Sequence, residues 1–167
     1  QEMSAALLDH VRDAIQFEGQ YRDPDLLATP HPGEIDASMV ARMEKMLAGV
    51  RDAVNDKQNL RYFLGCYLTE PKSHVFFDAP ESGLGPAAFS RLLKRDGARL
   101  DLKSRLLYLG EQFFLNGNAL TTTDADHSAL RQLADARELP GGKNIDWSRT
   151  LCELLHRAYC DGFVHTE

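Results

Sequence analysis

Residues 36–56 read DASMVARMEKMLAGVRDAVND, and the spacing of the apolar side chains in this stretch sets the character of the whole chain. Met39, Met43, Met46, Leu47, Val50 and Val54 recur at intervals of three, four and seven. On a helix of about 3.6 residues per turn, such positions stack into one line along roughly six turns. Val40 is the other large apolar residue here, while Arg42, Glu44, Lys45, Arg51 and Asp52 turn towards water. A greasy line on an otherwise polar helix must find a partner surface. No pattern of catalytic residues lies nearby, so the stretch reads as part of an assembly and scaffold module.

Working outward, Ala5, Leu7, Leu8, Val11, Ala14 and Ile15 predict a preceding helix over Ser4 to Glu18, with Gly19 as its stop. Residues 21–33 (YRDPDLLATPHPG) hold three prolines and a glycine, so neither helix nor central strand passes through them. Leu26 and Leu27 are expected to hold that loop down. Asp36 or Ser38 caps the striped helix. A third helix follows over Lys57 to Leu68, with Leu60, Phe63, Leu64, Tyr67 and Leu68 apolar and Pro71 marking its end. Two short neighbours do not readily cover the long methionine-containing line, whereas a two-fold axis buries the same patch twice. Residues 1–72 are therefore expected to form a helical dimerisation region, with burial of the line inside a small three-helix bundle as the alternative. The predicted interface is Met39, Val40, Met43, Met46, Leu47, Val50, Val54, Leu60, Phe63 and Leu64.

Residues 73–85 read as a linker in which Val75-Phe76-Phe77 is an edge strand or an anchor. Pro86 suits the first turn of a helix over about Ala87 to Arg95, with Phe89, Leu92 and Leu93 inward and Gly97 ending it. The period then changes. Leu100 to Lys103 alternates, and Leu106 to Leu109 and Gln112 to Leu115 flank a turn at Gly110-Glu111. Asn116-Gly117 is a strong hairpin signal, because both central positions of that turn need positive φ. Ala119 to Thr122 reads as a third short strand, and Thr123 with Asp126 resembles a capping box. That box opens a helix through about Arg137 with Leu130, Leu133 and Ala134 inward. Pro140-Gly141-Gly142 reads as a loop, and Asp146 as the cap of a last helix that buries Leu151, Leu154, Leu155, Ala158 and Tyr159. Asp161-Gly162 ends it, and Phe163-Val164 adds a final strand. The expected class is α+β, mostly α: a helical dimerisation bundle followed by a small winged-helix-like domain at 86–167.

The totals narrow the chemistry. The 167 residues are 43% hydrophobic and 26% charged, as in a soluble globular protein of one domain or two small ones. No apolar run approaches the roughly 18 residues that cross a bilayer. A net charge of −6 argues against general affinity for nucleic acid. Arg91, Lys94, Arg95, Arg99, Lys103 and Arg105 do form a local basic stretch, but Asp124, Asp126, Asp135 and Glu138 follow it. Cys66, Cys152 and Cys160 read as reduced thiols of a cytoplasmic protein. Cys160, beside Asp161 at a helix end, is badly placed for a nucleophile. The histidines at 10, 31, 74, 127, 156 and 165 are scattered, and His165-Thr166-Glu167 is a poor fragment of an iron triad at the chain end. Gly83-Leu84-Gly85-Pro86 lacks the Lys-Ser/Thr of a phosphate loop.

One set of turns and caps resembles a known family. It consists of Tyr21-Arg22-Asp23-Pro24-Asp25-Leu26, Pro32-Gly33-Glu34-Ile35, Thr69-Glu70-Pro71-Lys72, Leu109-Gly110-Glu111-Gln112, Asn116-Gly117 and Asp161-Gly162-Phe163. Together they look like the C-terminal half of the bacterial cupin/JmjC ribosomal oxygenases. The resemblance implies an Fe(II)- and 2-oxoglutarate-dependent hydroxylase acting on an arginine of a large-subunit ribosomal protein. In that family a catalytic cupin barrel comes first, followed by dimerisation helices and a winged-helix domain. The chain starts Gln1-Glu2-Met3 and enters a helix at once, so the expectation is a fragment beginning just after the barrel. None of the iron or cosubstrate ligands has a counterpart here, and no catalytic, cofactor or metal residue is carried over. The expected partners are a second copy, the catalytic cupin domain of the same protein and, through it, a ribosomal protein; a membrane is not expected and nucleic acid is disfavoured. The alternative is a free-standing winged-helix adaptor or nucleic-acid-binding regulator.

Overall fold

The structure, a computed structural model, describes residues 2–14, 31, 33–143 and 145–166. The expected helix residues 15–18 and the loop at 21–30 with Leu26 and Leu27 lie outside the described residues. The chain divides into two compact units, 1–63 and 64–167.

In the first unit, α1 (Met3–Ala14) and α2 (Ala37–Asn55) precede α3 (Lys57–Thr69), whose opening residues belong to this unit. The helix starts follow from capping chemistry. The Asp36 carboxylate accepts the Ser38 N–H at 2.6 Å, and that of Asp56 accepts the Gln58 N–H at 2.8 Å. Val11 and Phe63 are buried. His10 lies against the Phe63 ring at 5.3 Å and pairs with the Asn59 side chain at 2.8 Å. None of the residues of α2 is buried.

The second unit begins with the end of α3 and continues through α4 (Pro86–Asp96), β1 (Gly97–Leu100), β2 (Leu106–Leu109), β3 (Gln112–Leu115) and β4 (Asn118–Ala119). It closes with α5 (Asp124–Ala136), β5 (Glu138–Pro140), α6 (Arg149–Cys160) and β6 (Val164–His165). Two antiparallel sheets result. One has the order β5-β1-β6, with Ala98 opposite Leu139 and Leu100 opposite Val164; the other is the wing, β2-β3-β4. Phe89 and Leu93 of α4, Leu130 and Leu133 of α5 and Leu151 and Leu155 of α6 meet Phe113 of the wing in one core. The Asn116-Gly117 turn has φ of 46° and 88°, as its sequence predicts.

Several sequence expectations shift. The alternation read at Leu100 to Lys103 is not a strand beyond Leu100. The Asp101 carboxylate accepts the Lys103 N–H at 2.8 Å and its carbonyl accepts the Ser104 N–H at 2.9 Å, which turns the chain and leaves Leu102 exposed. Pro140, read as loop, instead ends β5 at the edge of the sheet, where a missing donor does no harm. The third wing strand is shorter than expected. Ser148, not Asp146, caps α6, its hydroxyl accepting the Leu151 N–H at 2.9 Å. Residues 75–84 do not bridge freely: Phe77 packs edge-on to Phe163 at 4.6 Å, Lys103 donates to the Phe76 carbonyl at 2.7 Å, and the His156 ring meets the Leu84 carbonyl at 2.8 Å. The end of α3 is held in the same way. Thr69 accepts the Gly117 N–H at 2.9 Å, and Gly65 lies so close to the Phe114 ring that a Cβ would sit 2.4 Å from it. These ties explain why the division falls after Phe63 rather than at 72.

A buried carboxylate joins two helix starts. Asp126 is 1% exposed and accepts hydrogen bonds from the Thr123 N–H (3.0 Å), the Thr123 hydroxyl (2.8 Å) and the Ser148 hydroxyl. Burial pushes its pKa up, but the bonds from Ser148 and Thr123, with His127 beside it, outweigh burial and leave it below the usual carboxylate value. Asp126→Ala strips both caps of an acceptor and is expected to cost about 3 kcal/mol in urea unfolding. The folded pKa is lowered, so the stabilisation is complete above the unfolded value of about 3.9 and fades as pH falls through the folded one. Asp126→Asn should therefore show a flatter loss of stability below about pH 4 than the parent chain, and equal slopes would contradict this.

Candidate functional site

The apolar line of α2 is where sequence and structure meet. The helix is about 28 Å long at 1.5 Å per residue. Met43 and Leu47, exposed at 52% and 61%, lie on one side of it with Val40, Met46 and Val54, all exposed, and with Met39 and Val50, both half-buried. On α3, Leu60 is exposed, whereas Phe63 is buried within the first unit and has little surface to offer a partner. Leu64 is half-buried and is the first residue of the second unit. Glu44, Lys45, Arg51 and Asp52 are exposed along α2, and Arg51 and Asp52 approach to 3.8 Å.

Most of the stability of a helix in a protein comes from packing its apolar face rather than from the helix alone. With no buried residue of its own, α2 gains most if its apolar face is covered. The three methionines suit such a seam, because an unbranched thioether fits irregular gaps.

The basic stretch is largely spent on the chain itself. Lys94 pairs with Asp146 at 3.3 Å, Arg95 with Asp96 at 2.6 Å and Lys103 with Asp78 at 3.0 Å, while Arg105 donates to the Leu68 carbonyl at 3.1 Å. The Arg95–Asp96 bond holds the Asp96 carboxyl below its ordinary value. Among the described residues, no three His, Cys, Asp or Glu converge as metal ligands. His165 instead pairs with Asp101 at 3.0 Å, and Glu167 lies outside the described residues. The three cysteines are unbridged, with Cys66 and Cys152 half-buried and Cys160 exposed. Burial pushes the Cys152 thiol up, away from nucleophilic reactivity.

Sequence reasoning missed a concave feature in the second unit, a groove of about 270 Å³ between β4 and α6. Its walls come from segments some thirty-five residues apart, near Ala119 and near Leu154. Each of these reads by itself as an ordinary amphipathic element, and nothing local marks the gap between them.

A family profile described as ROXA-like winged helix matches residues 51–161. No curated protein matches the chain at a significant level. Among solved structures, YcfD, a ribosomal oxygenase from Escherichia coli, superposes with a TM-score of 0.71 at 18% identity, over 99% of this chain and 45% of that one. The same enzyme in complex with cobalt and 2-oxoglutarate, and with cobalt and succinic acid, matches with a TM-score of 0.70 at 18% identity, over 98% of this chain and 45% of that one. At this identity the likeness establishes the fold. The chain spans less than half the length of these structures. Among the described residues, no helix is long and apolar enough to cross a membrane.

Proposed function

The chain belongs to the ROXA-like winged-helix family, and on that premise we propose that it is the non-catalytic dimerisation and winged-helix part of a ribosomal oxygenase. The observation that carries this reading is α2, a long helix with no buried residue and an exposed apolar line. Residues 1–72 bring two copies together through that line. Residues 86–167 form a folded block that packs against a catalytic cupin barrel of the same protein and helps frame its substrate path. The parent enzyme is a cytoplasmic Fe(II)/2-oxoglutarate protein hydroxylase of the cupin/JmjC type, acting on an arginine of a 50S ribosomal protein. Metal and cosubstrate supply the oxidising chemistry in that barrel, and the residues of this chain supply grip and frame.

The test is an Fe(II) titration of the chain combined with a peptide hydroxylation assay. The expected result is neither saturable iron binding nor turnover from the chain alone; hydroxylation by the isolated chain would refute the reading. The free-standing nucleic-acid-binding alternative is disfavoured, because at least four of the six cations it would need are already engaged within the chain.

A further inference from the structure

We propose that the groove between β4 and α6 docks an extended, basic segment of a partner polypeptide, laid alongside β4 with one apolar side chain anchored in the groove. This goes beyond the reading above and does not depend on it. Three observations carry it.

The first is an open strand edge. Among the described residues, the wing order β2-β3-β4 leaves one side of β4 without a strand. The Leu120 N–H donates to the Phe113 carbonyl at 2.8 Å, so antiparallel alternation turns the N–H and C=O of Ala119 and Thr121 the other way. Both residues are exposed and line the groove. Main-chain groups at a sheet edge recognise another main chain.

The second is size. A volume of about 270 Å³ falls just below the roughly 300–1,000 Å³ typical of small-molecule sites. Leu115, Leu154 and Phe163 make its apolar floor, which suits a side chain better than a metabolite.

The third is charge. Glu153 and Arg157 of α6 and Asp161, which caps its C-terminus, line the groove, and Glu153 also holds Arg149 at 2.7 Å. Residues 110–166 carry eight carboxylates against five Lys and Arg. This excess favours Lys or Arg on the incoming segment and repels phosphate. A second copy of the chain would bring the same acidic surface and is disfavoured on that ground.

The test titrates the isotope-labelled full chain with a short acetylated peptide of alternating Lys and Val, following backbone amide shifts. The expected shifts concentrate at Ala119, Thr121 and Leu154, and binding weakens by about tenfold or more when Glu replaces Lys in the peptide. Ala119→Pro removes the outward N–H while leaving the bonds of β4 to β3, and is expected to weaken binding by about tenfold with an unchanged melting temperature. Should that variant fold poorly, Glu153→Lys combined with Asp161→Lys gives a second reading, with the same expected loss. Absence of binding at millimolar peptide, shifts centred elsewhere, or equal binding of the Glu peptide or of an oligothymidylate would overturn the proposal. So would affinity that both sets of substitutions leave untouched.

Discussion

Met43→Asp combined with Val50→Asp is expected to leave the chain monomeric while its helical circular dichroism is preserved. In the single chain Met43 is exposed and Val50 half-buried on a helix without buried residues, so carboxylates there remain hydrated and the fold tolerates them. In a dry seam between two copies each unpaired carboxylate costs several kcal/mol of desolvation. A total of only about 4 kcal/mol already weakens association by about a thousandfold. Light scattering behind size exclusion measures the outcome. Met43→Leu combined with Val50→Ile keeps the apolar character and should keep the dimer. A double-Asp variant that elutes with the mass of the unsubstituted dimer would remove α2 from the interface.

Gly97→Ala is expected to cost more than any other single methyl group added to the second unit. Gly97 ends α4 and opens β1 with φ of 86° and ψ of −161°, a region open in practice to glycine alone. A Cβ there would sit 2.0 Å from the Leu139 carbonyl oxygen, which is backbone held in the β1–β5 ladder and cannot swing away. Strain and clash together should exceed about 4 kcal/mol, a large part of the roughly 5–15 kcal/mol that holds a domain folded. The control is Gly110→Ala at the wing tip. Its φ is 66° but none of the described residues stands within 4 Å, so the expected cost is only about 1 kcal/mol. Urea midpoints of the two variants compare them directly. Similar losses would mean that the α4–β1 corner relaxes where the ladder says it does not.

How much was legible beforehand depended on whether the signal was local. The turn at Asn116-Gly117, the Thr123–Asp126 box and proline at the start of α4 are features within four residues, and each stood where expected, as did the cap at Asp36, one of two candidates there. The core faces of α5 and α6 followed from their period in the same way. Pairings between distant segments were opaque. β1 lies between β5 and β6, and nothing near Leu100 announces Leu139 or Val164 as its neighbours. Asp146 looked like a cap by type, yet Ser148 took the place because its hydroxyl also reaches the buried Asp126. Phe63 had the right period for an interface but faces His10 in the first unit. Along α2, the line was readable because a helix of that length with one apolar face announces its need for cover, though not what covers it.

Sedimentation equilibrium of the unsubstituted chain tests the central claim most directly. The account predicts a mass twice the 18.7 kDa of one chain, falling towards one chain only on strong dilution. A constant 18.7 kDa up to about 100 μM would contradict it, leaving the methionine face of α2 wet in solution.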